Sequence, residues 1–156
     1  MIMVRFAADA DIDRVNELRR QVFEIHANGR PDMFKNDFDA QLQQYAYTLL
    51  HSENHAIVVS ERAGEICGMA CVDYVDKRET AYNRPRRLLH VQEIAVDAAH
   101  RRQGVAREIV DFLRSDARAR GCTSIELDVW SFNTQAIEFY EAMGFSPYRQ
   151  LMELNV

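Results

Sequence analysis

Apolar and polar positions follow two rhythms along this chain, and the switches between them mark its elements. "MVRFA" (3–7) reads as a short strand. Asp9 stands where a helix cap is wanted, ahead of Ile12, Val15, Leu18 and Val22 at helical spacing. Gly29 and Pro31 in "HANGRPDMF" stop that helix. "FDAQLQQYAYTLLHS" resumes the helical period through Leu42, Tyr45 and Leu49. The rhythm then changes. "HAIVVSE", "RAGE" and "ICGMACVDYV" read as strand, turn and strand, a hairpin. "DKRETAYNRPRR" is a polar loop containing Pro85. "LLHVQEIAV" is a strand whose nearly unbroken apolar character predicts burial on both faces. "GVAREIVDFLRSDARARG" predicts the strongest helix, with Val105, Ile109, Phe112 and Leu113 on one face and Gly121 at its end. "SIELDVW" reads as a strand, "NTQAIEFYEAMG" as a short helix ending at Gly144, and "YRQLMEL" as a last strand. No repeat or linker interrupts the series. The prediction is one α/β (α+β) domain over residues 1–156, a mixed central sheet flanked by helices.

Composition narrows the class. At 156 residues, 47% apolar and 28% charged, the chain suits one globular core. Its apolar runs are too short to span a bilayer, and "MIMVRFAADADID" lacks the features of a secretory signal. No membrane partner is expected from those short runs, and Cys67, Cys71 and Cys122, an odd set without framework spacing, predict reduced thiols and a cytoplasmic setting. Cys67 and Cys71 share a strand face and read as buried structural thiols.

The net charge is −5, unevenly spread. Residues 1–76 hold 7 basic and 13 acidic residues (net −6), whereas residues 77–156 hold 12 and 11 (net +1). Neither half shows the concentrated basic face of a nucleic-acid binder. The acidic half could attract a cationic substrate; the plainer reading is that it keeps the surface soluble. His51 and His55 in "HSENH" are four apart, but Ser52 stands where a metalloprotease pattern needs Glu and a strand begins at His55, so no metal is expected.

The informative stretch is "AHRRQGVAREIV" (99–110). Here a strand feeds a turn and the turn feeds a helix. The first N–H groups of a helix lack intrahelical partners, and its dipole favours anions there. Gly104 and Ala106 are small enough to let a ligand reach the main chain, and Arg101 and Arg102 can pair with phosphate. Neither a P-loop nor the three-glycine dinucleotide fingerprint is present.

"RRQGVA" resembles the Arg/Gln-x-x-Gly-x-Gly/Ala motif of the GNAT superfamily of N-acetyltransferases. The wider block "VQEIAVDAAHRRQGVAREIVDFL" is similar to that family's strand, turn and helix for acetyl-CoA. "IELDVWSFNTQAIEFYEAMGF" is similar to its second block. Specific motifs cover about residues 88–146, in the family's order. The resemblance implies splayed central strands holding acetyl-CoA as acetyl donor, with no metal. It implies that Gln103, Gly104, Val105 and Ala106 cradle the pyrophosphate through their N–H groups, with Arg101 and Arg102 nearby. The pantetheine arm would lie along Ile94, Ala95 and Val96, with an N–H near Val96 polarising the acetyl carbonyl. Asn133 would bond the pantetheine or diphosphate region beside Ala136, and Tyr140 would protonate the leaving thiolate. The family often has Gly where Arg102 stands.

Acetyl transfer to an amine also needs a base or water relay to deprotonate the amine, and donors at the oxyanion. Glu93 is the candidate base, directly or through water. Glu93 and Val96 point to opposite strand faces by alternation, so the assignment needs Glu93 to face the acceptor cleft or a bulge to re-aim it. On spacing alone Tyr140 is a core residue and Asn133 an ordinary helix cap. Asp32, Asp37, Asp39 and Tyr82 lie in loops that usually shape the acceptor site in this family; they could receive and cover a cationic amine, or be solvated. The expectation is an acetyl-CoA-dependent N-acetyltransferase acting by direct attack in a ternary complex on a small-molecule or protein amine. The alternatives are a CoA- or acyl-CoA-binding module without turnover, and a transferase of longer acyl groups. The resemblance allows a homodimer through the last strand.

Overall fold

In a computed structural model, which describes residues 2–156, these rhythms become five strands and four helices. The strands are β1 (Ile2–Phe6), β2 (His55–Arg62), β3 (Glu65–Lys77), β4 (Arg86–Val96) and β5 (Ser124–Leu127). The helices are α1 (Ile12–Gly29), α2 (Ala40–Leu50), α3 (Val105–Ala119) and α4 (Thr134–Ala142). The sheet order is β1-β2-β3-β4-β5, antiparallel except for the β4–β5 pair. That parallel pair requires a crossover, and α3 supplies it. Between β2 and β3 the chain reverses through Ala63 (φ 50°) and Gly64 (φ 82°), the left-handed pair of a tight hairpin turn.

Strand alternation builds a core on each face. Ile57, Val59, Met69 and Ala95 meet Ile12, Val15 and Leu18 of α1 and Leu49 of α2. Val58, Ala70, Val72, Leu89 and Val91 meet Val105, Ile109 and Leu113 of α3. Each buried side chain of this size contributes about 1.5–3 kcal/mol of gross stabilisation. Gly68 in β3 permits the tightest of these approaches. A Cβ there would lie 2.5 Å from Val105 Cγ1, so the missing side chain seats the start of α3 against the ends of β3 and β4.

Four local expectations are corrected. Cys67 and Cys71 are both buried but lie on opposite faces of the sheet, because the β2–β3 register shifts between Ser60 and Glu61 and leaves Cys67 without an opposite residue. Asp9 is not the helix cap: it pairs with His51 at 2.7 Å, while Asp11 accepts the Ala8 N–H at 2.7 Å and grips Arg5. β5 stops at Leu127 rather than Trp130, because β4 pairs with it only from Leu88 to Val91. "YRQLMEL" forms no strand; residues 145–156 have no regular structure. Its apolar pattern suits a sheet edge, but this chain makes no ladder with it.

Candidate functional site

The site begins where β4 and β5 part. β3 stays paired with β4 as far as Gly68–Val96, but β5 ends opposite Val91. Gln92 to Val96 therefore present one unpaired edge. Asp97 donates its N–H to the Cys67 carbonyl on β3 at 2.9 Å. Ladder alternation then turns the N–H groups of Ile94 and Val96 towards the open edge. Ala95 is buried on the α1 face.

A bulge lies just before this edge. Cys71 faces Glu93 and Val72 faces Val91, so Gln92 has no opposite residue. Val91 packs on the α3 face, whereas Glu93, two positions on, meets Arg19 of α1. The bulge reverses the parity and turns Glu93 to the α1 face. Val96 remains on the α3 face, opposite Glu93.

The open edge runs into the turn before α3. Asp97 starts it by accepting the Ala99 N–H at 2.9 Å and pairing with Arg14; these bonds hold its carboxyl below the ordinary range. Arg101 folds back so that Nε lies 3.5 Å from the Val96 carbonyl. Arg102 has φ 60°, a left-handed conformation that favours glycine. This is the position where the motif often has Gly. Gly104 (φ 85°) is the N-cap of α3, and a Cβ on it would meet nothing within 4 Å. No side chain caps the helix, so its first N–H groups have no side-chain partner. Two left-handed residues leading into a helix make a concave array of N–H groups suited to an anion.

Arg62 at the end of β2 braces this turn. It donates to the Gln103 carbonyl at 2.7 Å and to Gln103 Oε1 at 3.1 Å. It also lies 3.7 Å from Glu108 in the first turn of α3, offsetting a carboxylate that would repel an anion. Arg62 Nε is buried without a hydrogen-bond partner among the described residues. The donor array and the open space at Gly104 fit the pyrophosphate of CoA.

Glu93 receives a 2.7 Å bond from Arg19 Nε, and the Arg19 side chain is 2% exposed. Arg19 also bonds Asn16 Oδ1 and the Leu42 carbonyl and lies 5.5 Å from the Phe38 and Tyr45 rings. It ties α1, α2 and β4 together under the carboxylate. Cys71 faces Glu93 in the ladder; burial, reinforced by that carboxylate, pushes its thiol well above the ordinary range. Burial alone pushes the Tyr140 phenol up to about 12, so it is protonated at neutral pH. Asn133 caps α4 by accepting the Ala136 N–H at 3.3 Å.

The acceptor-side residues do not converge. Asp32 forms a two-bond pair with Arg30, and Asp39 caps α2 by accepting the Leu42 N–H. Asp37 is exposed, and Tyr82 is 95% exposed on the loop before β4. An aromatic group occupies this end of α1 instead. His26 stacks on Phe34 (5.4 Å between centroids) and meets Phe132 edge-on, while Trp130 packs on Phe34 and Phe132. Gly29 makes room: a Cβ there would lie 2.2 Å from the Phe132 ring. Burial lowers the His26 pKa below its ordinary 6.5, against the pull of Glu93.

Sequence reading missed Arg19, Arg62, Gly68 and this aromatic group. Arg19 had a signal, since it recurs on the apolar stripe of Ile12, Val15 and Val22. Gly68 had one too, as a lone glycine within a strand. Arg62 and the aromatic group join distant parts of the chain and had none.

A family model described as "Acetyltransferase (GNAT) family" matches residues 14–145. The chain is similar to the N-terminal acetyltransferase B complex catalytic subunit naa20 of Schizosaccharomyces pombe, 35% identical over 63 residues, 40% of this chain and 35% of that protein. It is also similar to the streptothricin acetyltransferase of Streptomyces lavendulae, 30% identical over 95 residues, 61% of this chain and 46% of that protein. The chain thus spans less than half the length of these curated relatives. The solved structure of a tetramutant of the BH1408 protein from Bacillus halodurans superposes with a TM-score of 0.94 at 26% identity, covering 99% of both chains. The family match takes in β2 to α4, the parted strands and the turn before α3 together, and the chain belongs to the acetyltransferase (GNAT) family.

Proposed function

We propose that this protein transfers an acetyl group from acetyl-CoA to a primary amine by direct attack in a ternary complex. The observation that carries the reading is the unpaired β4 edge, Gln92–Val96, running straight into the uncapped start of α3. Acetyl-CoA supplies the acyl group as an activated thioester. The N–H groups of Gln103, Gly104, Val105 and Ala106 hold its pyrophosphate, with Arg101 and Arg102 adding charge from the rim. Ile94 and Val96 offer ladder bonds to the pantetheine arm, and the Val96 N–H polarises the acetyl carbonyl. Asn133 and Ala136 border the pantetheine at the start of α4.

Glu93, held at Oε2 by Arg19, takes the proton of the attacking amine through water. Tyr140 is protonated at working pH and gives its proton to the departing thiolate. The nearby Cys71 is held as a neutral thiol, which favours direct attack over an acetyl-enzyme. One curated relative is an N-terminal acetyltransferase subunit and the other a streptothricin acetyltransferase, which supports an amine acceptor without narrowing it further. Asp32, Asp37, Asp39 and Tyr82 would act at its approach rather than in one pocket. The three free thiols fit a reducing, cytoplasmic setting. No described helix is long and apolar enough to cross a membrane.

Thermal unfolding with acetyl-CoA, CoA and ATP is the first test. A ligand at about 100 times its dissociation constant adds about 2.7 kcal/mol, on the order of 5–10 °C for a chain of this size. The expected result is a shift with acetyl-CoA and CoA and little with ATP, followed by thiol release on adding a panel of amines. No shift with saturating acetyl-CoA would overturn the reading. A shift without thiol release for any amine would favour the binding module.

A further inference from the structure

The peptide that leads into Gly104 has two ways to lie. Gly104 has φ 85° and ψ 0°, the angles of the third residue of a type II turn. Flipping the Gln103–Gly104 peptide converts a type II turn into type I, where that residue has φ about −90° and ψ about 0°. Glycine takes both signs of φ with similar ease, so Gly104 does not itself choose between them. The choice matters to an anion. In a trans peptide the carbonyl and the N–H point to opposite sides, so one orientation offers the Gly104 N–H where the other offers the Gln103 carbonyl.

Arg62 decides between them from outside the turn. It ends β2, 41 positions before Gln103. Its Nη2 donates to the Gln103 carbonyl at 2.7 Å and its Nη1 to Gln103 Oε1 at 3.1 Å. Gln103 Nε2 in turn donates to the Ala99 carbonyl at 3.2 Å, so the side-chain amide is held at both ends. Glu108, 3.7 Å from Nη2, keeps the guanidinium against the first turn of α3. With the Gln103 carbonyl turned to Arg62, the Gly104 N–H points the opposite way, and it has no hydrogen-bond partner among the described residues.

We propose that Arg62 is a positioning residue for acetyl-CoA, a role that rests on the acetyl-CoA reading above. By fixing the Gln103–Gly104 peptide it presents the Gly104 N–H, rather than a carbonyl oxygen, to the pyrophosphate. It acts through the peptide and not on the phosphate, because Gln103 engages both of its terminal nitrogens. Without Arg62 the turn can flip, and a carbonyl dipole of the wrong sign then meets the anion.

Calorimetric titration with acetyl-CoA tests this in the full chain and three variants. Arg62→Met keeps the length of the side chain and loses its donors; it should bind roughly tenfold to a hundredfold more weakly. Arg62→Lys keeps one charged donor for the carbonyl and should regain much of that loss. Arg5 pairs with Asp11 and Glu61 away from the turn, so Arg5→Met should lower Tm and leave acetyl-CoA affinity unchanged. With an acceptor from the amine panel, Arg62→Met should raise KM for acetyl-CoA while kcat stays within about twofold, since Glu93 and Tyr140 are untouched. In the wild-type protein the Gly104 amide proton should move downfield on adding CoA. An unmoved Gly104 resonance overturns the proposal even if Arg62→Met does not fold. Unweakened binding in Arg62→Met overturns it and leaves the acetyl-CoA reading standing. An equal loss of affinity in Arg5→Met makes the effect one of stability and also overturns it. A wild-type protein that binds no acetyl-CoA overturns both.

Discussion

Gly104→Ala separates the stability of the turn before α3 from its use. The residue has φ 85°, where an alanine costs about 1–2 kcal/mol. Lower chain entropy in the unfolded state returns about 0.4–1 kcal/mol of this. No packing clash adds to the cost, because a Cβ there meets nothing within 4 Å. The net loss is about 0–1.6 kcal/mol, which lowers Tm by at most roughly 6 °C. The effect on the ligand is larger in kind. The empty volume around that Cβ is where the phosphates are proposed to rest on the N–H groups of Val105 and Ala106. Losing one charge-assisted bond of about 1.5–3 kcal/mol weakens acetyl-CoA roughly 10- to 150-fold. Gly121→Ala is the matched control. Its φ is 73°, its Cβ also meets nothing, and it lies at the far end of α3. Scanning fluorimetry should show similar Tm losses in the two variants. Calorimetric titration should show weak acetyl-CoA binding only in Gly104→Ala. If both keep wild-type affinity within twofold, the pyrophosphate does not sit on this turn.

Arg102→Gly relieves a left-handed residue at φ 60° and should raise Tm by about 1–4 °C; a fall would mean the arginine side chain stabilises the turn. Gly29→Ala drives a methyl into Phe132 and should cost about 1–3 kcal/mol by urea unfolding, with much of it regained in Gly29→Ala, Phe132→Ala; additive losses would refute the contact. His26 is held below 6.5 by burial, so the unfolded chain takes up that proton first as pH falls. Its contribution to stability is complete above 6.5 and lost below it, and the slope of unfolding free energy between pH 5 and 7 should flatten in His26→Gln. Tyr140→Phe should lower kcat about 100-fold or more while acetyl-CoA affinity holds; a twofold effect would return Tyr140 to the core.

The elements that sequence resolves well are those whose burial is set locally. α3 reads from its own stripe because Val105, Ile109 and Leu113 all meet one sheet face. The β2–β3 hairpin reads because "RAGE" can adopt the left-handed pair at Ala63 and Gly64. What fails depends on a distant partner. "SIELDVW" has the pattern of a seven-residue strand, but pairing stops after Leu127, where β4 has bulged. "YRQLMEL" has a strand pattern but forms no ladder with any strand among the described residues. In both cases the local preference is real and the missing quantity is the neighbour.

The site divides the same way. The turn before α3 was legible because a run of adjacent residues builds it, whereas the left-handed backbone at Arg102 is a finding of the structure. Glu93 needed more. Its face depends on Gln92 being the bulged residue, and β-bulges leave no reliable mark in one strand because they are decided by the register of two. Its charge depends on Arg19, 74 positions away, whose guanidinium is buried against it. Truncating a buried partner usually costs several kcal/mol, so Arg19 has a structural reason to be there whether or not Glu93 relays a proton. A loss of activity in an Arg19 variant would therefore not identify the base. Glu93→Gln is the cleaner substitution, because the amide can still accept from Arg19 Nε while losing the capacity to take a proton. If that variant keeps both stability and kcat, Glu93 positions α1 on β4, and the proton of the amine leaves by water alone.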